Sequence, residues 1–482
     1  MKKAVVIGTG VGGAAVSALL AQKGFSVTVF EKSGFEGGKA ASYERDGFVC
    51  DMGVHFTARG SKGPLGEVAR RVGADLRFSE PNPVMRIVTP SRSCDLPQNL
   101  LSPLALIKQF RLAGVKPRNL PGAFRVFMQI LRIKEEADAS RFDSVPLRDF
   151  LLRHTDDEGF QRLVNIFNGL MFVIPEAEAS TGEFLWSFAS MAKTGSLGYP
   201  IGGFGQIAKS YLRACERNGG EVRLKEGVRC IRVEKGRVTG VETAKGVYEA
   251  DLVVSNAGIR KTIEMAGEDR FPASYTADAK KLKDSLGAVT VKYALDRRPF
   301  DIPIVVYMPE DMDWSQNMEL ISRGEVPNEV PMFLPCPTCC DPSLAPPGKH
   351  VLLAGTAVPA DLSASEMAEA ILDRMEQKIP ELFPGIEQHI LWKHRTNLSY
   401  IDGMGGRGAG EVIGLAQSYD QVGENKPDPR TPVEGLYLVG CDAGGRGIGT
   451  EQAADSALKV SKMILSEAQA PRMVIAEVQV PR

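Results

Sequence analysis

Apolar runs that end in glycine alternate with amphipathic stretches along the chain. Residues 3–8 form a β-branched apolar run, which predicts a buried strand, and the glycine-rich turn GTGVGG follows it. The segment AAVSALLAQKG predicts an amphipathic helix that ends at Gly24. SVTVFEK then predicts a second strand. The chain therefore opens with a strand–turn–helix–strand unit.

The glycine spacing in this unit is typical of a dinucleotide-binding site. Gly8 permits the tight turn, Gly10 lets the backbone approach a pyrophosphate, and Gly13 allows the helix to pack on the strand. The N-terminus of the helix favours the phosphate charge. Glu31 ends the second strand, where its carboxylate can accept hydrogen bonds from ribose hydroxyls. The spacing alone leaves open which dinucleotide binds.

The same pattern returns later in the chain. GYPIGGFGQIAKSYLRACERNGG again predicts a glycine turn that opens a helix, and ADLVVSNA and GLYLVG predict buried strands. Residues 144–192 predict helices, whereas 286–296, 302–308 and 350–358 predict strands of a second sheet. Nucleotide-binding elements thus recur at the start, middle and end of the chain, with elements of another kind inserted between them.

The segment 96–134 combines basic and apolar residues and contains no acidic residue. Its basic residues are Lys108, Arg111, Lys116, Arg118, Arg125, Arg132 and Lys134. The pattern predicts two amphipathic helices that are interrupted at KPRNLPG. Such helices are typical of proteins that contact anionic membranes, but a helical cap with a solvated basic face would show the same pattern.

Composition excludes several classes of protein. The net charge of −1 gives no bulk attraction to nucleic acid. No apolar run reaches the roughly 18 residues of a transmembrane helix. Glycines interrupt the N-terminal apolar stretch, so a strand and a helix explain it better than a signal peptide does. We therefore expect a cytoplasmic protein, and for residues 100–134 both peripheral membrane contact and a solvated cap stay open.

Three of the eight cysteines cluster in CPTCCDPS, as Cys336, Cys339 and Cys340. Such a cluster could be a metal or redox site, but no fourth ligand and no second CxxC motif accompany it. A turn that holds small apolar residues between prolines explains the same pattern. We expect no metal site.

Four longer motifs accompany the glycine turn. GGKAASYERDGFVCDMGVHF follows Glu31, and GGFGQIAKSYLRACERNGGEVRLKEGVRCI occupies the middle of the chain. DPSLAPPGKHVLLAG and EGLYLVGCDAGGRGIGTEQAADSA come later. Together they resemble the signatures of FAD-dependent oxidoreductases in the family of phytoene desaturases, carotenoid isomerases and retinol saturases. The likeness covers almost the whole chain.

The resemblance implies an α/β fold with two domains. One would be a Rossmann-type FAD-binding domain, as in glutathione reductase, and the other an inserted substrate domain of mixed sheet and helices. The FAD-binding domain would comprise residues 1–95, 196–265 and 403–470. The substrate domain would comprise 96–195 and 266–402, and 471–482 would form a C-terminal tail.

The resemblance also implies which residues bind FAD. The expected set is Gly8, Gly10, Gly12, Gly13, Glu31, Lys32, Gly37, Gly38, Lys39, Val228, Gly440, Asp442, Gly447 and Ile448. Residues 37–39 would approach the phosphates and the ribityl chain, and Val228 would contact adenine through its backbone. Gly440, Gly447 and Ile448 would lie along the ribityl chain and the flavin.

Two residues are candidates for a role in catalysis. His55, in DMGVHF, could relay a proton near the flavin, or it could be a structural histidine that is hydrogen-bonded in a turn. Arg446 stands where the family usually has glycine, so it would lie either near the flavin edge or at the solvent-exposed surface.

The expected function is hydride transfer at flavin N5 to or from carbon–carbon bonds of a lipophilic, isoprenoid or polyene substrate. Desaturation, saturation and isomerisation all fit this expectation. The chain carries no GxSxG, HExxH or P-loop lysine motif, which agrees with chemistry supplied by a flavin. Two alternatives stay open: an amine or porphyrinogen oxidase on the same scaffold, and a flavin-binding partner protein without turnover.

Overall fold

The computed structural model describes residues 1–53, 55–310, 314–406 and 408–469, without the side chains of residues 314 and 315. The predicted tail at 471–482 therefore lies outside the described residues. Within these ranges the protein has an α/β fold in which one parallel sheet and one mostly antiparallel sheet share a helical cap.

The parallel sheet combines strands from the start, middle and end of the chain. In spatial order its strands are Leu436–Leu438, Leu252–Ser255, Lys3–Ile7, Ser26–Phe30 and Glu221–Arg223. Every neighbouring pair runs parallel. Because parallel strands are covered on both faces, the central strand is a continuous apolar run rather than an alternating one.

Helices cover one face of the parallel sheet, and a β-meander covers the other. The helices are Val11–Gln22, Pro64–Val72, Gly205–Arg217 and Gly449–Gln469, which pack against one another. The meander strands are Val228–Glu234, Arg237–Thr243 and Gly246–Glu249. Val5 and Ile7 of the central strand share a core with Ile231 and Val233 of the meander. The helices Val11–Gln22 and Gly205–Arg217 agree with the predicted elements.

The second sheet has an antiparallel arrangement apart from one pair. In spatial order its strands are Ile390–Thr396, Gly287–Leu295, His350–Val358, Met332–Pro335, Ile304–Tyr307, Met85–Val88 and Ser93–Leu96. Ile304–Tyr307 and Met85–Val88 run parallel. The helix Ser365–Leu382 covers one face of this sheet through Ile371, Leu372 and Met375.

Two strands of this sheet were assigned by the sequence pattern to the other domain. Met85–Val88 and most of Ser93–Leu96 fall within the range 1–95 expected for FAD binding, but Met85–Val88 pairs with Ile304–Tyr307 of the second sheet, and Ser93–Leu96 pairs with Met85–Val88. Four-residue strands carry almost no periodic signal, so only long-range pairing decides which sheet they join.

The helical cap is an α-helical layer over residues 103–194. Its helices are Pro103–Leu112, Leu120–Arg132, Glu136–Ser140, Leu147–Leu152, Glu158–Phe172 and Thr181–Thr194. The predicted break at KPRNLPG is a single 3₁₀ turn, Pro117–Asn119. Phe167, Phe184 and Phe188 form the aromatic centre of the cap.

The remaining elements connect these layers. The further helices are Ile259–Ala266, Ala273–Lys281, Trp314–Ser322 and Leu398–Gly405. The further strands are Ser42–Arg45, Phe48–Asp51, Phe78–Ser79 and Tyr199–Pro200. Over the described parts of the chain, none of the helices is both long and apolar enough to cross a membrane.

Candidate cofactor and substrate site

A cavity of about 540 Å³ lies where the two sheets and the helical cap meet. One end is lined by the glycine turn, the end of the second strand and the C-terminal loop. The other end is lined by the cap and the second sheet. A volume of this size is typical of sites that bind small molecules.

Side chains are excluded at the glycine turn by close backbone packing. A Cβ atom on Gly10 would lie 2.6 Å from Nδ2 of Asn256, and one on Gly12 would lie 2.9 Å from Cα of Gly440. A Cβ atom on Gly13 would overlap the carbonyl oxygen of Gly8. The first helix, the first strand and the C-terminal loop can therefore meet only because these positions are glycine.

The N-terminus of the first helix is open toward the cavity. Gly10 is the N-cap and provides no side-chain hydrogen bond, and the first turn contains no acidic residue. The first N–H groups of any helix lack partners within the helix. Gly10, Val11 and Gly12 line the cavity, so these N–H groups fit the pyrophosphate of a dinucleotide.

Glu31 lines the cavity with both carboxylate oxygens already hydrogen-bonded. Oε2 accepts from the backbone and hydroxyl of Thr9 at 2.9 and 2.8 Å, and Oε1 accepts from the backbone and hydroxyl of Ser33 at the same distances. The Ser33 hydroxyl also has the carbonyl oxygen of Phe35 within reach, at 2.7 Å. Rotation of this hydroxyl would free Oε1 for a ribose hydroxyl, so the carboxylate fits the expected adenosine.

Most of the other expected cofactor residues also line the cavity. They are Gly8, Lys32, Gly37, Gly38, Lys39, Val228, Asp442 and Ile448. Lys39 forms an ion pair with Glu411 and donates to its backbone oxygen at 2.6 Å. Asp442 accepts from the backbone N–H of Ile259 at 3.1 Å, at the first residue of the helix Ile259–Ala266. The structure thus brings together segments more than 400 residues apart.

Three expected glycines lie behind the cavity wall and shape the backbone. Gly13 packs on the first strand, as its spacing predicted. Gly440 has φ +110°, and its N–H donates to the Ser456 hydroxyl at 3.1 Å. Gly447 has φ +107°, and its carbonyl oxygen accepts from Gln417 at 2.7 Å. A side chain would be strained at the last two positions because L-residues rarely adopt positive φ.

Arg446 lies in neither of the two expected places. It is 7% exposed, so it does not face solvent, and its side chain points away from the cavity into the cap. The guanidinium donates to Asp143 and Glu183 at 3.1 Å each. Burial raises the pKa of Glu183 although the charge of Arg446 opposes that rise. Arg446 therefore joins the C-terminal loop to the helical cap, a contact that no local sequence pattern signals.

His55 lines the cavity beside Phe56 and Thr57. Whether it relays a proton or supports the turn stays a prediction.

Two features of the site were missed by sequence reasoning. The Asn256 side chain lies between Gly10 and Gly440 and lines the cavity. Its position directly after a buried parallel strand was a usable signal, since ligands bind at the carboxyl ends of such strands. Arg59 pairs with Glu451 of the last helix, with Nε and Oε2 2.9 Å apart. That pair joins residues 392 positions apart and has no local signature.

The far end of the cavity is apolar. Its large lining side chains are Met85, Ile166, Phe167, Leu170, Met171, Val173, Leu197, Ile304, Val306, Met308, Met332 and Phe333. Among the described residues that the cap and second sheet contribute to the lining, none is charged. The charged lining residues all belong to the nucleotide end: Glu31, Lys32, Lys39, Lys261, Asp442 and Glu451.

Comparison with known proteins agrees with this geometry. Residues 12–465 match the model of the family described as flavin containing amine oxidoreductase. The chloroplastic prolycopene isomerase of Daucus carota is 26% identical over 91% of this chain and 76% of its own length. The zeta-carotene-forming phytoene desaturase of Myxococcus xanthus is 26% identical over 97% of this chain and 95% of its own length.

Solved structures share the fold. An oxidoreductase from Methanosarcina mazei superposes with a TM-score of 0.76 at 21% identity, over 95% of this chain and all of that one. A putrescine oxidase bound to putrescine gives a TM-score of 0.69 at 14% identity, over 97% of this chain and 98% of that one. At these identities the likeness establishes the architecture.

Proposed function

The chain belongs to the family of flavin-containing amine oxidoreductases, and on that premise we propose that it acts on carbon–carbon bonds of an uncharged polyene or related isoprenoid. It is an FAD-dependent oxidoreductase with carotenoid isomerases and desaturases among its relatives. When bound, FAD supplies hydride transfer at flavin N5. The proposal concerns the substrate that would react with the flavin.

The apolar end of the cavity carries this proposal. A buried ammonium or carboxylate needs an opposite charge or several hydrogen bonds, because transfer of an unpaired charge out of water is very costly. The described lining from the cap and the second sheet offers only apolar side chains and neutral hydroxyls such as Thr290. An amine, or a porphyrinogen with its carboxylates, would find no partner there. A hydrocarbon needs none.

The named relatives support the same substrate class. One is named as an isomerase of prolycopene, and another as a desaturase that forms zeta-carotene from phytoene. The residues at the two ends of the cavity would have different roles. Glu31 and the helix N-terminus would hold the nucleotide, and Ile448 would border the flavin. Phe167 and Met308 would exclude water and hold the polyene.

A direct experiment uses the purified holoprotein and compares two substrate classes. Phytoene and prolycopene are presented in vesicles, and products are followed by chromatography and visible absorbance, which reports the length of conjugation. A panel of simple amines is tested in parallel for hydrogen peroxide release. We expect conversion of a polyene and no peroxide from amines. Amine oxidation with inert polyenes would contradict the proposal.

A matched pair of variants tests the apolar lining itself. Met308→Asp places a charge in the apolar end, and Met308→Leu keeps it neutral at similar volume. Both should retain FAD, because Met308 belongs to the part of the lining contributed by the second sheet. Met308→Asp should lose polyene turnover, whereas Met308→Leu should keep most of it. Equal polyene turnover by both variants would contradict the proposal that the apolar lining determines the substrate class.

We also propose that the helices Pro103–Leu112 and Leu120–Arg132 contact an anionic membrane surface. All seven basic residues of the segment 96–134 are exposed. Large apolar side chains are exposed among them: Leu104, Ile107, Leu120, Phe124 and Leu131. A merely solvated basic face would not need these apolar groups. Phe110 packs on Phe160 of the helix Glu158–Phe172, which lines the cavity, so the surface lies one helix away from the substrate.

A further inference from the structure

The turn that contains CPTC ends a strand of the cavity wall. Met332–Pro335 is a strand of the second sheet, and its residues Met332 and Phe333 line the cavity. Cys336 follows directly, and its N–H donates to the carbonyl oxygen of Pro303 at 2.7 Å. The next residues form the 3₁₀ turn Pro337–Cys339.

This turn brings the two cysteines of the motif into contact. The N–H of Cys339 donates to the carbonyl oxygen of Cys336 at 2.9 Å. A turn closed by such a bond keeps its end Cα atoms within about 7 Å, and a disulfide needs about 4.4–6.8 Å. The Cys336 sulfur lies 3.4 Å from the hydroxyl of Thr338, and the Cys339 thiol donates to the carbonyl oxygen of Phe300 at 3.8 Å. Both cysteines are free thiols, and the turn holds their Cα atoms within the range that a disulfide can span.

The two thiols differ in exposure and acidity. Cys336 is fully buried, and its interaction with Cys339, together with burial, raises its pKa. Cys339 is partly exposed, and the interaction with Cys336 lowers its pKa against the effect of burial, with the charge of Arg298 acting in the same direction. Asp301 is the charged group that opposes this effect. Cys339 is thus the more exposed residue of the pair, and Cys336 is the buried one.

We propose that Cys339 and Cys336 form a redox-active dithiol that reduces disulfides of other molecules. The thiolate of Cys339 attacks one sulfur of R–S–S–R, forms a mixed disulfide and releases one RS⁻. The Cys336 sulfur then attacks the Cys339 sulfur, forms the Cys336–Cys339 disulfide and releases the second RS⁻. Both cysteine protons pass to the released thiolates, so two protein thiols are oxidised and one external disulfide is reduced.

The neighbouring Cys340 provides an internal control. Burial raises its pKa to about 12, so it is almost entirely protonated at neutral pH. It lies in the same segment but outside the CxxC spacing. Within the described chain, no group of three or more His, Cys, Asp or Glu side chains is placed to hold a metal ion.

The test exposes the FAD-loaded full chain to glutathione disulfide without oxygen, alkylates the remaining thiols and maps the peptides by mass. We expect the wild type to lose two thiols as an internal Cys336–Cys339 disulfide that dithiothreitol reverses. Cys336→Ser should stop at a glutathionyl adduct on Cys339. Cys339→Ser should react at neither position, and Cys340→Ser should behave as the wild type.

Cys339 should react about tenfold or more faster than Cys340, since thiolate populations set the rate. Retained flavin absorbance in each variant shows that it is folded, and the wild-type peptide map decides the case even if a variant does not fold. The proposal is overturned if Cys336 and Cys339 both remain reduced in the wild type. It is also overturned if Cys340, Cys230 or Cys441 carries the modification instead.

Discussion

Arg446 in the C-terminal loop binds Asp143 in the helical cap, with one guanidinium nitrogen 3.1 Å from a carboxylate oxygen. The same guanidinium reaches Glu183, and both carboxylates are buried. Arg446 immediately precedes Gly447 and Ile448, so this contact ties the cavity's flavin end to the layer that forms its apolar end. A buried ion cluster therefore joins the C-terminal loop to the helical cap.

Replacing Arg446 with Ala should strongly destabilise the protein. Removing one partner of a buried pair leaves charge without compensation, which costs about 3–5 kcal/mol. Denaturant unfolding measures the loss. Arg430→Ala is the matched control, because its pair with Glu467 is largely exposed and should contribute at most about 1 kcal/mol. Equal losses in the two variants would contradict the inferred role of the cluster.

The deficit of the Arg446→Ala variant should shrink in acid. Burial raises the pKa of Glu183, so the folded state binds this proton more tightly than the unfolded state does. Lowering the pH protonates Glu183 and so removes the cost of its buried charge. The resulting gain in the free energy of unfolding is larger when Arg446 is absent. The unfolding free energy of the Arg446→Ala variant, measured from pH 7 down to pH 5, should converge with that of the wild type. A deficit that is constant with pH would argue against Glu183.

Gly13→Ala should impair FAD binding. The added Cβ atom would overlap the carbonyl oxygen of Gly8, so the helix Val11–Gln22 must move away from the strand that positions the pyrophosphate. Flavin per chain, measured by absorbance, should fall together with the melting temperature. Gly403→Ala is the control, since that glycine lies in the helix Leu398–Gly405 with open space around it. It should retain FAD.

Because of Lys292, the free energy of unfolding should increase with pH in the alkaline range. Burial lowers its pKa from 10.5 to about 8, so between these values the unfolded chain binds a proton that the folded protein does not. The wild type should therefore gain about 3 kcal/mol relative to Lys292→Met as pH rises through this window. Cys50 and Asp51 face the side chain at position 292 and are present in both proteins. Parallel pH profiles for the two would refute the assignment.

Phe124→Ser should weaken binding to anionic vesicles. Phe124 is 53% exposed on the helix Leu120–Arg132, and burial of such a side chain is worth about 1.5–3 kcal/mol. Cosedimentation with vesicles should show a loss of about tenfold or more. Val247→Ser is the control, because Val247 is 52% exposed on the β-meander and should not contact the membrane. Equal binding by all three proteins would contradict the membrane proposal.

Local patterns were sufficient for the nucleotide end of the site. The strand, the glycine turn and Glu31 lie within one short segment, and a Cβ atom at Gly10, Gly12 or Gly13 would come within 3.0 Å of a neighbouring atom. The strands at 286–296 and 350–358 were likewise predicted, because long, mostly apolar runs are visible in the sequence itself. The family motifs then indicated that the dinucleotide is FAD.

Only the tertiary structure decided the rest. Arg446 is buried because the cap supplies Asp143 and Glu183, which lie far away in the sequence. Met85–Val88 joins the second sheet through long-range pairing, which the sequence of a four-residue strand is too short to indicate. The apolar end of the cavity likewise arises from separate segments that meet only after folding. Residue type and spacing determine local geometry, whereas charge compensation and cavity lining depend on which distant segments the fold brings together.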